Sequence, residues 1–216
     1  MAHDLSPSSV TQVARDDILA THRNAIARRV VVGGFLGLAW GASLRAWMVL
    51  LALEFGDRPQ FTWAGTFGAI LLPTALVGAL LGAAAYTAET SDRKQWRWAT
   101  LSPLLLVVGP VIVTENFFIT LITTGLGGGA IGVALIGVFG GYALSEFGAR
   151  WTRWVSGFIT LSLTIASVFP VYFADRVPAA TLCAGKVFGA LLFVLLMVLL
   201  VVGVSAPSRK DRRWRP

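Results

Sequence analysis

Gly41, Ala42, Ser43 and Leu44 carry the Gly-x-Ser-x pattern in which a serine inside a membrane helix can act as a nucleophile. That chemistry requires a base to take the serine proton. The two histidines, His3 and His22, both precede the first apolar run, so Ser43 reads as a small packing residue. The chain has no His-Glu-x-x-His zinc motif, no Walker A loop and no dinucleotide glycine fingerprint. Two histidines apart from any paired acid do not suggest a metal site, and one cysteine, Cys183, allows neither a cysteine cluster nor an internal disulfide. No cofactor is expected. What remains is a set of polar residues inside apolar segments: Arg45, Glu115, Asn116 and Lys186. A bare arginine at the bilayer centre costs at least ~2.5 to 3.5 kcal/mol, so such residues pair or reach water. We expect Arg45 to meet Glu115, Asn116 to add a hydrogen bond, and Lys186 to share their depth as an intramembrane polar cluster. The plainer alternative is that Arg45 and Lys186 snorkel to the headgroups and hold their helices in register.

The elements that must position these residues follow from composition. Of 216 residues, 56% are hydrophobic and only 13% charged, where soluble domains carry about a quarter. We expect an all-α integral membrane protein, a bundle of about six transmembrane helices. Residues 1–29 form a polar, partly helical N-terminal segment, with Ser9 and Gln12 at capping-box spacing and a helix expected from Val10 to about Arg29. Its length and charge argue against a cleavable signal. The spans fall at about 30–53, 63–86, 99–114, 117–144, 155–173 and 181–205, and residues 206–216 are a basic tail. The third is the shortest, and Pro73 should bend the second.

The first span, ~36 Å long at ~1.5 Å per residue, can cross a hydrocarbon core of about 30 Å. At ~100° per residue, Gly34, Gly37, Gly41, Arg45, Met48 and Ala52 share a narrow face opposite Leu36, Trp40, Leu44, Trp47 and Leu51. The small face should pack on neighbouring helices and the bulky face should meet lipid. Eight glycines lie between Gly125 and Gly141. The fourth span is therefore either closely packed, with Gly137 and Gly141 against another helix, or locally broken.

The net charge of +7 sits beside the apolar spans and not along a soluble face, which suits anionic headgroups and does not suit nucleic acid. Fourteen basic residues fall on one side of the six-span scheme and two, Arg58 and Arg176, on the other. The positive-inside rule then puts both termini in the cytoplasm and the chain in the inner (plasma) membrane.

Gly41 to Met48 (GASLRAWM), followed by Phe61 to Phe67 (FTWAGTF), resembles a segment of uncharacterised multi-spanning membrane proteins of high-GC Gram-positive bacteria. The resemblance covers the first two spans and implies no activity. The first reading is a structural or accessory membrane component, a small-solute transporter or channel is the alternative, and a membrane-embedded enzyme comes third. The glycine faces suit a structural or accessory component that packs on itself or on a membrane partner. Arg45 and Lys186 suit a transporter or channel for a small solute, an anion above all. An enzyme would have Glu115 as its only intramembrane acid or base, with no nucleophile beside it.

Overall fold

The computed structural model describes residues 7–54, 61–90, 93–113, 116, 119, 128–146, 148–173 and 183–208, and these are helical almost throughout, with no strand among them. Helix α1 (Pro7–Glu54) is followed by a π-helical segment (Ala64–Leu71) that runs into α2 (Leu72–Thr90). A 3-10 helix (Arg93–Leu104) runs into α3 (Leu105–Val113), and then come α4 (Gly128–Leu144), α5 (Arg150–Phe173) and α6 (Cys183–Ser205), which ends in a 3-10 turn (Ala206–Ser208).

Three stretches, Leu19–Leu53, Ala64–Glu89 and Lys186–Ser208, are long and apolar enough to cross a membrane, and Trp98–Val113 and Gly129–Leu144 are shorter apolar helices. Large apolar side chains face outward: Phe35 is 68% exposed, Leu36 66%, Phe158 71% and Ile112 77%. Water would not tolerate so much contiguous apolar surface, whereas a bilayer would solvate it.

Packing of α1 on α2 is set by glycine. Gly33, Gly37 and Gly41 on α1 face Gly82, Gly78 and Thr74 on α2, so that the two backbones touch. A Cβ on Gly33 would strike the Gly78 carbonyl oxygen, one on Gly37 the Thr74 carbonyl oxygen, and one on Gly82 the Arg29 carbonyl oxygen. The pair is antiparallel and is closed at one end by Tyr86 and His22 (OH to Nδ1, 2.9 Å) and by an exposed Arg29–Glu89 ion pair at 3.4 Å. Gly34, expected on this seam, lies at its edge, with its nearest neighbours at 3.8 Å.

The opposite face of α1 departs from expectation. Leu36 is exposed, but Trp40, Leu44 and Trp47 pack against the core instead of lipid. Trp40 Nε1 donates to the Leu196 carbonyl on α6 (2.8 Å), and the Trp47 ring sits 4.5 Å from that of Phe193. The reason is that α1 has two neighbours, α2 on its glycine row and α6 on its indole row, and a buried indole N–H needs an acceptor that hydrocarbon lacks.

Several local features also differ. Because α1 begins at Pro7, Ser9 lies inside the helix and is not its cap; proline suits a first turn, where its missing N–H is not needed. At Pro73 the expected bend takes the form of the π segment, in which Leu72 N–H donates to the Phe67 carbonyl five residues back. Proline offers Ala69 no α-helical donor, and α3 enters beside this point, where a Cβ on Gly109 would lie 2.8 Å from both Ala69 Cα and Pro73 Cγ. The short third apolar stretch, Trp98–Val113, is lengthened by its 3-10 part. At ~2.0 Å per 3-10 residue it reaches roughly 27 Å, against about 24 Å for an α-helix.

On α4 a Cβ at Gly137 would lie 2.9 Å from Pro103 Cβ and 3.1 Å from Leu200 Cδ2, and one at Gly141 would lie 2.9 Å from Val204 Cβ. These pairs run α4 parallel to α6. Gly140 meets Thr160 Cγ2 at 3.2 Å, and Arg153 Nε donates to the Ala143 carbonyl at 3.2 Å, so α5 is antiparallel to α4. Successive legs of the chain therefore alternate in direction around a core of Val77, Leu106, Val133, Ala134, Ile136, Phe193, Leu196, Met197, Leu200 and Val204. Of the expected fourth span, Gly128 to Leu144 is one unbroken helix, while residues 120–127 lie outside the described residues.

Candidate functional site

Of the expected polar cluster, Arg45, Asn116 and Lys186 are among the described residues and Glu115 is not. Arg45 and Trp47 are two residues apart on α1, about 200° around the helix, so Arg45 is on the side away from Phe193 and α6. It is half-buried and continues the row Gly33, Gly37, Gly41 by one more step of four. Lys186, also half-buried, belongs to α6, seven residues before Phe193 and on the same face. With Trp40 opposite Leu196 and Trp47 opposite Phe193, Lys186 lies ~10 Å beyond the ring pair, at the level of the last turn of α1. Arg45 and Lys186 thus stand on opposite sides of α1. Asn116 is exposed, with φ of 54°, a left-handed turn conformation that asparagine tolerates better than most residues. Glu115, and with it the expected Arg45–Glu115 pair, lies outside the described residues.

What the structure shows is a change of exposure toward the Lys186 end of α6. Along the core-facing stripe of α6, Phe193, Leu196, Met197, Leu200 and Val204 are buried, but Ala190, Gly189 and Lys186 are only half-buried. Helix α4 shows the same change. Gly140 and Gly141 are pressed onto Val201 and Val204, yet a Cβ on Gly129, which shares the face of Gly140 within about 20°, would meet nothing within 4 Å; the same holds for Gly132. Helices α4 and α6 are in close contact at the Gly140–Val201 and Gly141–Val204 level, and space is open beside Gly129. The Trp47–Phe193 ring pair lies about one turn of α6 from Ala190, on the side of the buried core.

Helix α5 adds polar atoms that sequence reading missed. Thr152, Ser156, Thr160, Thr164 and Ser167 form a hydroxyl face opposite the exposed Trp151, Trp154, Phe158, Leu161 and Ile165. The signal was present as a run of four-residue steps, masked because average hydropathy cannot see a face. Thr160, Thr164 and Ser167 each donate at 2.8 Å to the carbonyl one turn back, the usual way a hydroxyl is satisfied in a membrane helix. Their protons are committed, and only oxygen lone pairs are left toward neighbours. Thr164 and Ser167 are half-buried and lie about one and two turns beyond the Thr160–Gly140 contact, toward the open end.

Two further hydroxyls, Thr66 on the π segment and Ser102 beside Pro103, are buried without a hydrogen-bond partner among the described residues. Both oxygens are shut off from solvent in this conformation. Among the described residues no three His, Cys, Asp or Glu side chains come together as a metal site. No protein-family model, curated protein or solved structure matches the chain.

Proposed function

We propose that the protein is a six-span inner-membrane protein, with both termini in the cytoplasm, that admits a small solute from outside into the mouth above Trp47 and Phe193. The observation that carries this reading is the change along the α6 stripe from buried at Phe193 to half-exposed at Ala190 and Lys186. The alternating direction of the legs supports an even number of crossings, and the fourteen-to-two distribution of basic residues favours the Lys186 end outside. At the other end, exposed Trp151 and Trp154 beside Arg150 and Arg153 suit the headgroup layer of an anionic inner leaflet. The test is a depth series of single cysteines in a Cys183→Ser background, probed with a hydrophilic thiol reagent. Ala190→Cys should react while the protein is folded and Leu200→Cys only after unfolding; equal protection of both would overturn the reading.

A second reading, a structural or accessory component, is favoured by α1 itself. His22 lies opposite Tyr86, so the end of α2 at Thr90 is level with about residue 18 of α1. The helix begins at Pro7 and so runs roughly 16 Å further as an arm, at ~1.5 Å per residue. Deleting residues 2–17 should leave the melting temperature in place and remove any partner that co-purifies in mild detergent. Retention of a stoichiometric partner by the truncated chain would exclude the arm as its docking element.

A further inference from the structure

We infer that the α4–α5 turn holds one phospholipid of single negative charge, with its phosphate on Arg153 and Arg150 and an acyl chain along the exposed stripe of α5. This site rests on the reading that the stripe faces lipid, and it is independent of the mouth at the other end of the bundle. Arg153 is half-buried, and its Nε donates to the Ala143 carbonyl at 3.2 Å. That carbonyl belongs to the last turn of α4, where the helix dipole also favours a cation. One nitrogen is thereby committed and the guanidinium plane is fixed, while its two terminal nitrogens have no partner among the described residues.

A fixed arginine fork with free terminal N–H groups grips a phosphate through two bonds. Arg150 is exposed and lies three residues earlier on the same helix, close enough for its head to meet the same phosphate. Glu146 is the one acid between Ser145 and Trp154, and among the described residues it pairs with neither arginine. Two arginines against one acid leave a single positive charge on the turn, which one monoanionic phosphate balances.

The surface beside the arginines fits a lipid and not a free phosphate. At ~100° per residue, Trp154, Phe158, Leu161 and Ile165 fall within about 80° of Arg150 around α5, and all four are exposed. From Trp154 to Ile165 the stripe runs ~16 Å, about half of a hydrocarbon core of ~30 Å. A chain esterified to a phosphate at Arg150 therefore has apolar surface beneath it for one leaflet. The exposed indoles of Trp151 and Trp154 stand where glycerol joins the chains, the depth that tryptophan prefers. In membrane proteins, basic pockets between helices hold headgroups of this kind.

The test takes the full chain, stripped of lipid in mild detergent, and titrates it with phosphatidylglycerol and with phosphatidylcholine of the same acyl chains, counting retained lipid by native mass spectrometry. The parent should hold one phosphatidylglycerol about tenfold more tightly than phosphatidylcholine, whose choline cation meets two arginines. Arg153→Lys keeps the charge but lacks the fork and the Nε bond, and should lower that ratio roughly tenfold, the loss expected for one charge-assisted hydrogen bond. Arg150→Gln removes an exposed charge ~6 Å away and should lower it about threefold. Arg28→Gln, an exposed charge on α1, should leave it unchanged, and millimolar inorganic phosphate should not displace the lipid. An equal hold on both lipids in the parent, a ratio unmoved by Arg153→Lys or by Arg150→Gln, a fall with Arg28→Gln as large as with Arg153→Lys, or displacement by inorganic phosphate would each overturn the site. Melting temperatures of the lipid-free variants report the Ala143 bond separately, and Arg150→Gln, which leaves that bond in place, carries the test if Arg153→Lys does not fold. In vesicles, chain-brominated phosphatidylcholine should quench the emission that Trp154→Phe removes. Absence of that quenching would take away the lipid-facing stripe and the site with it, whereas quenching without a preference for phosphatidylglycerol would overturn the site alone.

Discussion

Replacing Gly78 by alanine is the most direct probe of the α1–α2 seam, because the added methyl group has nowhere to go. Its nearest neighbours are backbone: the Gly33 carbonyl oxygen, Gly37 Cα at 2.9 Å and the Gly33 carbonyl carbon at 3.0 Å. None of these is the end of a flexible side chain, so two helices must move apart along the whole row. Overpacking typically costs about 1 to 3 kcal/mol, and rigid neighbours place this site in the upper half of that range. Against it works the gain of up to ~1 kcal/mol from alanine as a helix former. The net loss should be about 1 to 2 kcal/mol, which for a chain of this size lowers the melting temperature by roughly 2 to 8 °C. Gly34→Ala is the control, since its Cβ would meet nothing closer than 3.8 Å and should leave stability unchanged or slightly raised. Thermal unfolding in mild detergent, followed by tryptophan emission, compares the two. If Gly78→Ala melts at or above Gly34→Ala, the seam is not a backbone contact and the packing of α1 on α2 is wrong.

Other expectations follow from the same geometry. Thr66→Val and Ser102→Ala each remove a buried hydroxyl that has no partner; since an unsatisfied buried group costs about 1 to 3 kcal/mol, both variants should melt at or above the parent, and a clear loss would mean a hidden bond. Trp40→Phe keeps a ring but loses the 2.8 Å bond to the Leu196 carbonyl and should cost about 0.5 to 1.5 kcal/mol, with no loss in a chain where the indole merely faces lipid. Gly137→Leu with Gly141→Leu would drive side chains into Pro103, Leu200 and Val204; the double variant should melt far below the parent or fail to fold, and a parent-like melt would put those glycines on a lipid face. Arg29→Gln should change stability by at most about 1 kcal/mol, and less in high salt, because the Arg29–Glu89 pair is half exposed.

How far the sequence reached depends on the kind of signal. Long apolar runs and glycine spacing are local, and α1, α2, α4 and α6 lie where those runs lie. The helical face through Gly34, Gly37 and Gly41 has its last two glycines on the seam but Gly34 beside it, where Gly33 makes the contact; it also turned Trp40 and Trp47 toward lipid, because it allowed α1 a single buried face. A helix packed on two neighbours has two, and only tertiary contacts reveal which rows they take. The π segment before Pro73 and the 3-10 stretch containing Pro103 were unreadable for a related reason. Proline marks where an α-helical bond is lost, and the packing of Gly109 and Gly137 decides how the backbone accommodates it. The expectation that Arg45 and Lys186 share one site rested on depth alone. Depth says nothing about which side of a helix a residue occupies, and here the two-residue step to Trp47 separates them.

The central claim is that the bundle opens to the outside above Trp47 and Phe193, and sidedness tests it most directly. Cells carrying Ala190→Cys in the Cys183→Ser background, and inverted membrane vesicles made from them, are exposed to a membrane-impermeant thiol reagent before solubilisation. The account predicts modification in intact cells and protection in inverted vesicles. Modification in the vesicles alone, or in neither until the protein is denatured, would contradict it.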